Sequence, residues 1–267
     1  MMLEVANPLP GDERITFEKR SHTYTVDGHL VPKSVTRLID DAIPEELRFD
    51  KERVFHANIE KWRSNASNKY HALVTGKSDE DAFKAVSKSW DDNADAGTAL
   101  HAELERVCNG VPPDDPIRFE VELQQFEAIR AQKRHLVPFR TELSLFAVGS
   151  DGLPKLAGQI DLLARTQDGK YVIVDFKRVD KDLSPHAHSF GKKFLNGRPL
   201  NAHHQYSLQV SLYAMLLQLQ TGIVASEAHI LQVHPRLDRA RFTRATDLRE
   251  EARALIVGLG VDCPPPG

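Results

Sequence analysis

Asp175 and Lys177, at the end of the apolar run YVIVDFK, are the residues best placed to do chemistry. Side chains of an extended strand alternate between faces, so these two residues share one face and Phe176 takes the other. The apolar residues before them are typical of a strand buried on both sides. A carboxylate and an ammonium there are costly unless they are paired or used. The pair is therefore either a salt bridge at the end of a sheet or part of a catalytic site.

A second carboxylate, Asp161, interrupts the preceding apolar segment GQIDLL, where an aspartate is intrinsically disfavoured. If the two segments form a hairpin, Asp161 approaches Asp175. Two carboxylates about 4 Å apart repel by roughly 4 kcal/mol at an effective dielectric constant near 20. Such a pair must share a proton or bind a cation, and Mg²⁺ is the simpler answer because it takes one or two carboxylates. The alternative is that Asp161 bonds to the backbone of a turn.

Two predicted helices supply further polar groups. His101 lies beside the apolar stripe of a helix predicted over about 94–108, where it is either a structural partner or a third metal ligand. Gln209 and Tyr213 are one turn apart beside the stripe of a helix predicted over 203–220. They form either a half-buried helix flank or a pair of polar tips that steer a phosphate or fix Lys177.

Charge is unevenly distributed along the chain. The formal net charge is -3, which does not by itself suggest a nucleic-acid partner. Residues 176–204 are nevertheless rich in Lys, Arg and His, and a local basic strip is compatible with phosphate contact. A solvated loop is the alternative. The candidate DNA contacts in this strip are Arg178, Lys192, Lys193 and Arg198.

Composition limits the class of protein. A chain of 267 residues with 41% hydrophobic content can form one large domain or a core with an appendage. No apolar run approaches the roughly 20 residues that span a bilayer, and the first residues lack a signal-peptide apolar region. We therefore expect an intracellular, soluble protein, cytoplasmic or nuclear, with no membrane partner. The cysteines Cys108 and Cys263 are too few for a disulfide framework or a four-thiolate iron–sulfur cluster.

The elements that must position these residues follow from hydrophobic periodicity. Alternation around Gly28 predicts a β-hairpin, and Ser34 is a candidate N-cap for a helix near 35–40. Helices are predicted at about 48–70, 78–90, 94–108, 117–134, 203–220 and 247–259, and strands at 139–148, 155–165, 170–178 and 224–234. This order predicts an α/β fold with a central mixed sheet flanked by helices. We divide it into a mainly helical N-terminal region, 1–75, and a core, 76–267.

The ordered set of polar residues resembles the PD-(D/E)xK nuclease superfamily over about residues 85–232. Within it, the set is similar to the RecB-like branch, which includes relatives of phage lambda exonuclease, CRISPR-associated exonucleases and mitochondrial genome maintenance exonucleases. The residues that carry the resemblance are Gly97, His101, Glu142, Gly158, Asp161, Asp175, Lys177, Gln209 and Tyr213. The resemblance implies a restriction-endonuclease-like core that cleaves DNA with Mg²⁺ or Mn²⁺. The four cysteines of the CRISPR-associated relatives are absent, so no iron–sulfur cluster is expected.

The resemblance also implies roles for individual residues. The metal ligands, for one or two ions, would be His101, Asp161, Asp175 and the carbonyl of Phe176, with Glu142 or Glu105 as further candidates. The catalytic set would be Asp161, Asp175 and Lys177, with Lys177 orienting or activating the attacking water. Gln209 and Tyr213 would lie at the DNA-contacting edge. Residues up to about 75 receive no role.

Three functions remain open from the sequence. The first is a metal-dependent deoxyribonuclease, an exonuclease rather than an endonuclease, acting on single-stranded or duplex ends in repair, recombination or replication-end processing. The second is a non-catalytic nucleic-acid-binding module on the same fold, against which the intact Asp161, Asp175 and Lys177 argue. The third is a metal hydrolase of another phosphoester, although the basic strip favours a polymer. Polarity, strandedness and oligomeric state are not determined by the sequence.

Overall fold

The structure, a computed structural model, describes residues 2–186, 193–194 and 197–267, with the backbone alone for residues 193, 194 and 198. The chain forms two compact units, Met1–Ile43 with His101–Gly267, and Pro44–Leu100. The sequence-based division into residues 1–75 and 76–267 stays a prediction. Among the described residues, no helix combines the length and apolarity that crossing a membrane requires.

The described helices and strands follow one another as α1 (Leu3–Ala6), β1 (Ile15–Glu18), β2 (Thr23–Val26), β3 (His29–Leu30), α2 (Val35–Ala42), α3 (Lys51–Ser64), α4 (His71–Val74), α5 (Asp79–Cys108), α6 (Glu120–Gln132), β4 (Val137–Val148), β5 (Pro154–Arg165), β6 (Tyr171–Arg178), β7 (Lys193–Phe194), β8 (Arg198–Pro199), α7 (Ala202–Thr221), β9 (Ala225–Val233), β10 (Arg241–Arg244) and α8 (Arg249–Val257). Short 3₁₀ turns lie at Asp12–Arg14 and Glu45–Leu47.

The larger unit is built on a five-stranded mixed sheet of order β10-β9-β6-β5-β4. The β4, β5 and β6 strands form an antiparallel meander, β9 runs parallel to β6, and β10 returns antiparallel. The predicted α/β class with a mixed, helix-flanked sheet is confirmed. The β10 strand was not predicted, because its sequence RFTR is short, charged and has no buried residue.

The β6 strand is buried on both faces, as its apolar run predicted. The ring of Phe176 lies 5.7 Å from that of Phe126 on α6, between ring centroids. On the other face, Lys177 Nζ lies 4.9 Å from the ring centroid of Tyr206 on α7. The predicted alternation of Phe176 and Lys177 is therefore confirmed, and α6 and α7 enclose the strand from opposite sides.

The α7 helix is buried over most of its surface, including Leu208, Leu212 and Met215. Asn201 caps its N-terminus by accepting a hydrogen bond from the backbone N–H of His204, and Gly222 ends it in a left-handed conformation with φ 76°. This rigid helix can hold polar side chains in place above the sheet.

The predicted hairpin around Gly28 is confirmed as β2–β3. The β1 strand pairs with β2 in a second hairpin, hereafter the N-terminal hairpin, whose turn lies at residues 19–22 and which packs on the larger sheet. Ile15 pairs with Val26, and both join Phe146 of β4 and Ala157 of β5 in a buried apolar cluster. The Ser34 cap of α2 is also confirmed, since its hydroxyl accepts the backbone N–H of Arg37.

The smaller unit, Pro44–Leu100, consists of α3, α4 and the first part of α5. Its buried core residues are Phe55, Ile59, Trp62, Val74, Ala82 and Val86. The prediction of separate helices over 78–90 and 94–108 is wrong, because α5 is continuous. Residues 91–93, which the prediction left between two helices, belong to it. Asn93 donates its side-chain amide to the carbonyl of Ser89 one turn earlier, and the propensity cost of such residues is below about 1 kcal/mol each.

Candidate metal centre

Glu142 and Asp161 face each other across β4 and β5. They lie between the paired positions Thr141↔Leu162 and Leu143↔Ile160. Glu142 has a left-handed backbone with φ 46°, a conformation that costs a residue other than glycine about 1–3 kcal/mol. The carbonyl of Glu142 accepts a hydrogen bond from the side-chain amide of Gln159, at 3.0 Å. A strained residue in the middle of a buried strand indicates a position held for function.

His101 on α5 completes a group of three metal-ligating side chains with Glu142 and Asp161. One ligand atom from each of them lies within 4.8 Å of the other two. His101 Nδ1 is 3.3 Å from Asp161 Oδ1. Ligands about 2.1 Å from a Mg²⁺ ion lie about 3 to 4.2 Å from one another in an octahedral arrangement. Small movements would therefore bring these atoms, hereafter the ligand group, around one ion.

Asp161 is held from two sides. Its Oδ2 accepts a 2.6 Å hydrogen bond from the backbone N–H of Phe176 on β6, while its Oδ1 faces His101. The alternative prediction from the sequence was a hydrogen bond between Asp161 and the backbone of a turn. The backbone group that Asp161 contacts belongs instead to the β6 strand. That bond ties β5 to β6 beyond their last pair, Leu162↔Val174, and fixes the carboxylate that faces the ligand group.

Asp175 and Lys177 form a buried ion pair beside the ligand group. Asp175 Oδ2 lies 2.6 Å from Lys177 Nζ, and the Asp175 side chain is 2% exposed. The direction of this contact is not that of a hydrogen bond, so Asp175 Oδ2 keeps unused hydrogen-bonding capacity among the described residues. Asp175 is outside the ligand group, and its role as a metal ligand stays a prediction.

Burial and mutual repulsion set the charges of these carboxyls. Burial, together with the charges of Asp161 and Glu105, raises the pKa of Glu142 to about 7. Burial likewise raises the pKa of Asp175 to about 6, against the opposing effect of Lys177. Burial would also raise the pKa of Asp161, but His101, Lys177 and the bond from Phe176 outweigh it and lower that pKa. A cation would relieve the cost of ionising Glu142 and Asp175.

The same carboxylates raise the pKa values of the two nitrogen-bearing side chains of the site, His101 and Lys177. Burial lowers the pKa of His101, but the charge of Asp161 more than compensates and leaves it raised. Burial also lowers the pKa of Lys177, and Asp175 with Asp161 reverses the effect. Lys177 is therefore a proton donor in hydrogen bonds at neutral pH rather than a base.

Gln209 and Tyr213 contact each other as their spacing on α7 predicted. The amide of Gln209 donates to the Tyr213 hydroxyl at 2.9 Å. Burial raises the pKa of Tyr213, and Asp175 and Asp161 raise it further. Gly158 on β5 makes room for this ring, since a Cβ there would lie 2.7 Å from Tyr213 Cε1. The glycine thus allows close contact between α7 and the sheet.

Two aromatic residues near the site were missed from the sequence. Tyr206 lies under the ammonium of Lys177 and also 5.2 Å from Lys181 Nζ, measured to its ring centroid. Its spacing of three residues before Gln209 was a signal that could have found it. Tyr24 of the N-terminal hairpin has its pKa raised by burial and then by Glu142 and Asp161. No local pattern indicated Tyr24.

The structure does not bring the remaining predicted residues into the ligand group. Glu105 is partly buried, and burial raises its pKa. Arg178 forms a buried ion pair with Glu122, Nε to Oε1 2.8 Å. Lys192 lies outside the described residues, as do the side chains of Lys193 and Arg198. The DNA contacts of these four basic residues stay predictions, as does the role of the Phe176 carbonyl.

Comparison with known proteins gives the family. The family model of the PD-(D/E)XK nuclease superfamily matches residues 43–259. One similar solved structure, described as "Crystal structure of SSO0001", is 14% identical, with 85% of this chain and 73% of that chain covered at a TM-score of 0.36. No curated protein matches the chain. The RecB-like branch stays a prediction. Because the family model spans most of the chain, including every residue of the ligand group and the Asp175–Lys177 pair, the chain belongs to the PD-(D/E)XK nuclease superfamily of metal-dependent nucleases.

Proposed function

We propose that this protein is a DNA exonuclease that hydrolyses phosphodiester bonds with Mg²⁺ or Mn²⁺ at the ligand group. One observation carries the proposal. His101, Glu142 and Asp161 offer ligand atoms within 4.8 Å of one another, next to a buried Asp175–Lys177 ion pair. Free DNA ends arise in repair, recombination and replication, and these are the settings we propose for it.

The donor set fits a hard divalent cation. Carboxylate oxygens suit Mg²⁺ and Mn²⁺, and the one imidazole is compatible with Mn²⁺. We propose that Asp175 and the Phe176 carbonyl add ligands when the site is loaded, and that Glu105 is available for a second ion. A bound ion neutralises non-bridging phosphate oxygens and lowers the pKa of a coordinated water.

Lys177 is proposed to act as a hydrogen-bond donor in the reaction. Asp175 holds its ammonium by the 2.6 Å contact, and the Tyr206 ring lies on another side of it. A donor fixed in this way can hold the attacking water or stabilise negative charge developing on the phosphate, which is worth about 10²- to 10³-fold in rate. Because Lys177 stays protonated, deprotonation of the water depends on the metal site and not on this lysine.

Gln209 and Tyr213 are proposed to support the site from α7. Tyr213 is 5% exposed, which favours a role in holding the wall of the site beside Asp175 over direct contact with DNA. Gln209 is less buried and hydrogen-bonded to the tyrosine, so it is the better candidate for a contact at the DNA edge.

The direct test uses purified protein with end-labelled single-stranded DNA, duplex DNA and RNA, with Mg²⁺, Mn²⁺ or EDTA. We expect metal-dependent loss of linear DNA from its ends and survival of covalently closed circular DNA. Asp161→Asn removes the central carboxylate charge at nearly constant volume and should be inactive. Glu13→Gln, a change of one exposed acid, is the matched control. Cleavage that persists in EDTA, or an active Asp161→Asn variant, would refute the proposal, and rapid cleavage of circles would make the enzyme an endonuclease.

A further inference from the structure

The N-terminal hairpin extends one continuous face from the protein core towards the ligand group. On this face, Ile15 and Val26 are buried, and the next pair outwards is Phe17 opposite Tyr24. Two residues of strand correspond to about 7 Å. The rings of Phe17 and Tyr24 are stacked, with centroids 4.5 Å apart and an interplanar angle of 26°. The outer end of the hairpin is therefore held by its aromatic pair.

The turn that follows, Lys19–His22, hereafter the basic turn, is exposed and cationic. Lys19 and Arg20 have no salt-bridge partner in the part of the chain that the structure describes. At the opposite end of the hairpin, in contrast, Arg14 is neutralised by Asp27, Nη2 to Oδ2 2.6 Å. Unpaired cations are thus confined to the end that carries the basic turn.

The position of the basic turn relative to the ligand group follows from two independent features. The hairpin is anchored to the sheet through Phe146 and Ala157, on the two strands that carry Glu142 and Asp161. The charge of Lys19 also acts on both Glu142 and Glu105, which agrees with this placement. Lys19 therefore lies at the margin of an acidic site that by itself would repel a polyanion, and Arg20 follows it in the same turn.

His22 adds an exposed ring to this margin. Its backbone is left-handed, φ 52°, a conformation in which histidine, asparagine and aspartate are enriched among residues other than glycine. The ring packs edge-on against Phe17, with centroids 5.4 Å apart. The aromatic row Tyr24, Phe17, His22 thus leads from two half-buried rings to an exposed one. Exposed rings beside basic residues bind unpaired nucleotides by stacking.

We propose that the basic turn holds the unpaired substrate strand next to the ligand group, with Lys19 and Arg20 on backbone phosphates and His22 stacked on a base. This inference rests on the proposed nuclease function and adds to it a preference for single-stranded DNA or frayed ends. The N-terminal hairpin, which sequence motifs left without a role, becomes a substrate-positioning element.

The test measures binding of a fluorescent single-stranded oligonucleotide by anisotropy, in EDTA, over a range of salt concentrations. The Lys19→Ala/Arg20→Ala double variant should bind more weakly, with a log–log salt slope reduced by about 1.4, because each phosphate contact contributes about 0.7 on a single strand. His22→Asn keeps a residue suited to positive φ but removes the ring. It should weaken binding by about tenfold without changing the salt slope.

Lys170→Ala is the matched control, because it removes one exposed lysine from the β5–β6 turn, about 16 Å along β6 from Asp175. It should leave the salt slope unchanged. The penalty from His22→Asn should be larger for a single strand than for a blunt duplex. If both hairpin variants bind like the parent while metal-dependent cleavage persists, the inference is refuted and the nuclease proposal stands. If the parent neither binds nor cleaves DNA, the nuclease proposal itself fails.

Discussion

Replacing Glu142 by glutamine should stabilise the metal-free protein at alkaline pH even though it removes a proposed metal ligand. Burial, with Asp161 and Glu105, raises the pKa of this carboxyl from 4.5 to about 7. Between these values the folded protein binds a proton that the unfolded chain releases, so stability falls as pH rises through that window. Glutamine has the same shape and carries no charge, so the variant lacks this loss.

The expected magnitude follows from the size of the shift. A difference between 4.5 and about 7 corresponds to about 3 kcal/mol when the carboxyl is ionised in both states, and to almost nothing when it is protonated in both. The stability advantage of Glu142→Gln should therefore grow by about 2 to 3 kcal/mol between about pH 5 and about pH 8.5. The left-handed backbone at this position is common to both side chains and cancels in the comparison.

The assay is urea unfolding in EDTA at a series of pH values, repeated with Mg²⁺. Binding to the folded state stabilises by about 2.7 kcal/mol when free metal is a hundredfold above its dissociation constant. Mg²⁺ should thus raise the stability of the parent and of the Glu13→Gln control, and should raise that of Glu142→Gln much less. Parallel pH profiles for parent and variant, or equal stabilisation of both by Mg²⁺, would refute the reasoning about the ligand group.

Three further substitutions test the neighbouring residues. Asp175→Asn should abolish Mg²⁺-dependent cleavage while DNA binding, measured by anisotropy, persists; undiminished cleavage would remove Asp175 from the catalytic set. Lys177→Ala should lower the cleavage rate by about 100-fold. It should also destabilise the fold by about 3 kcal/mol, because it leaves Asp175 buried without its counter-charge. If the variant cleaves DNA as fast as the parent at a temperature where both are folded, Lys177 is not the proposed hydrogen-bond donor. Gly158→Ala should cost about 1–3 kcal/mol in thermal unfolding, because its Cβ would lie 2.7 Å from Tyr213 Cε1; an equally stable variant would show that the contact between α7 and the sheet is not tight.

Local patterns in the sequence determined the elements and the directions of side chains within them. The period-two pattern of YVIVDFK predicted that Phe176 would point away from Lys177, and the two residues do pack against helices on opposite faces. One turn of helix between Gln209 and Tyr213 predicted their contact. These features depend on backbone geometry over a few residues, which the sequence specifies directly.

Long-range packing decided how the site is assembled. Local spacing predicted that Asp161 approaches Asp175, and the charge of Asp161 does act on Asp175. Spacing did not show that Asp161 lies with His101 and Glu142 in one ligand group while Asp175 pairs with Lys177. The place of Glu142 depends on the register of β4 against β5 and on its left-handed backbone, and neither leaves a periodic signal. Tyr24 comes from a hairpin that precedes Glu142 and Asp161 by more than a hundred residues along the chain. Contacts of this kind are fixed by which apolar faces pack together in three dimensions, so only the tertiary structure could decide them.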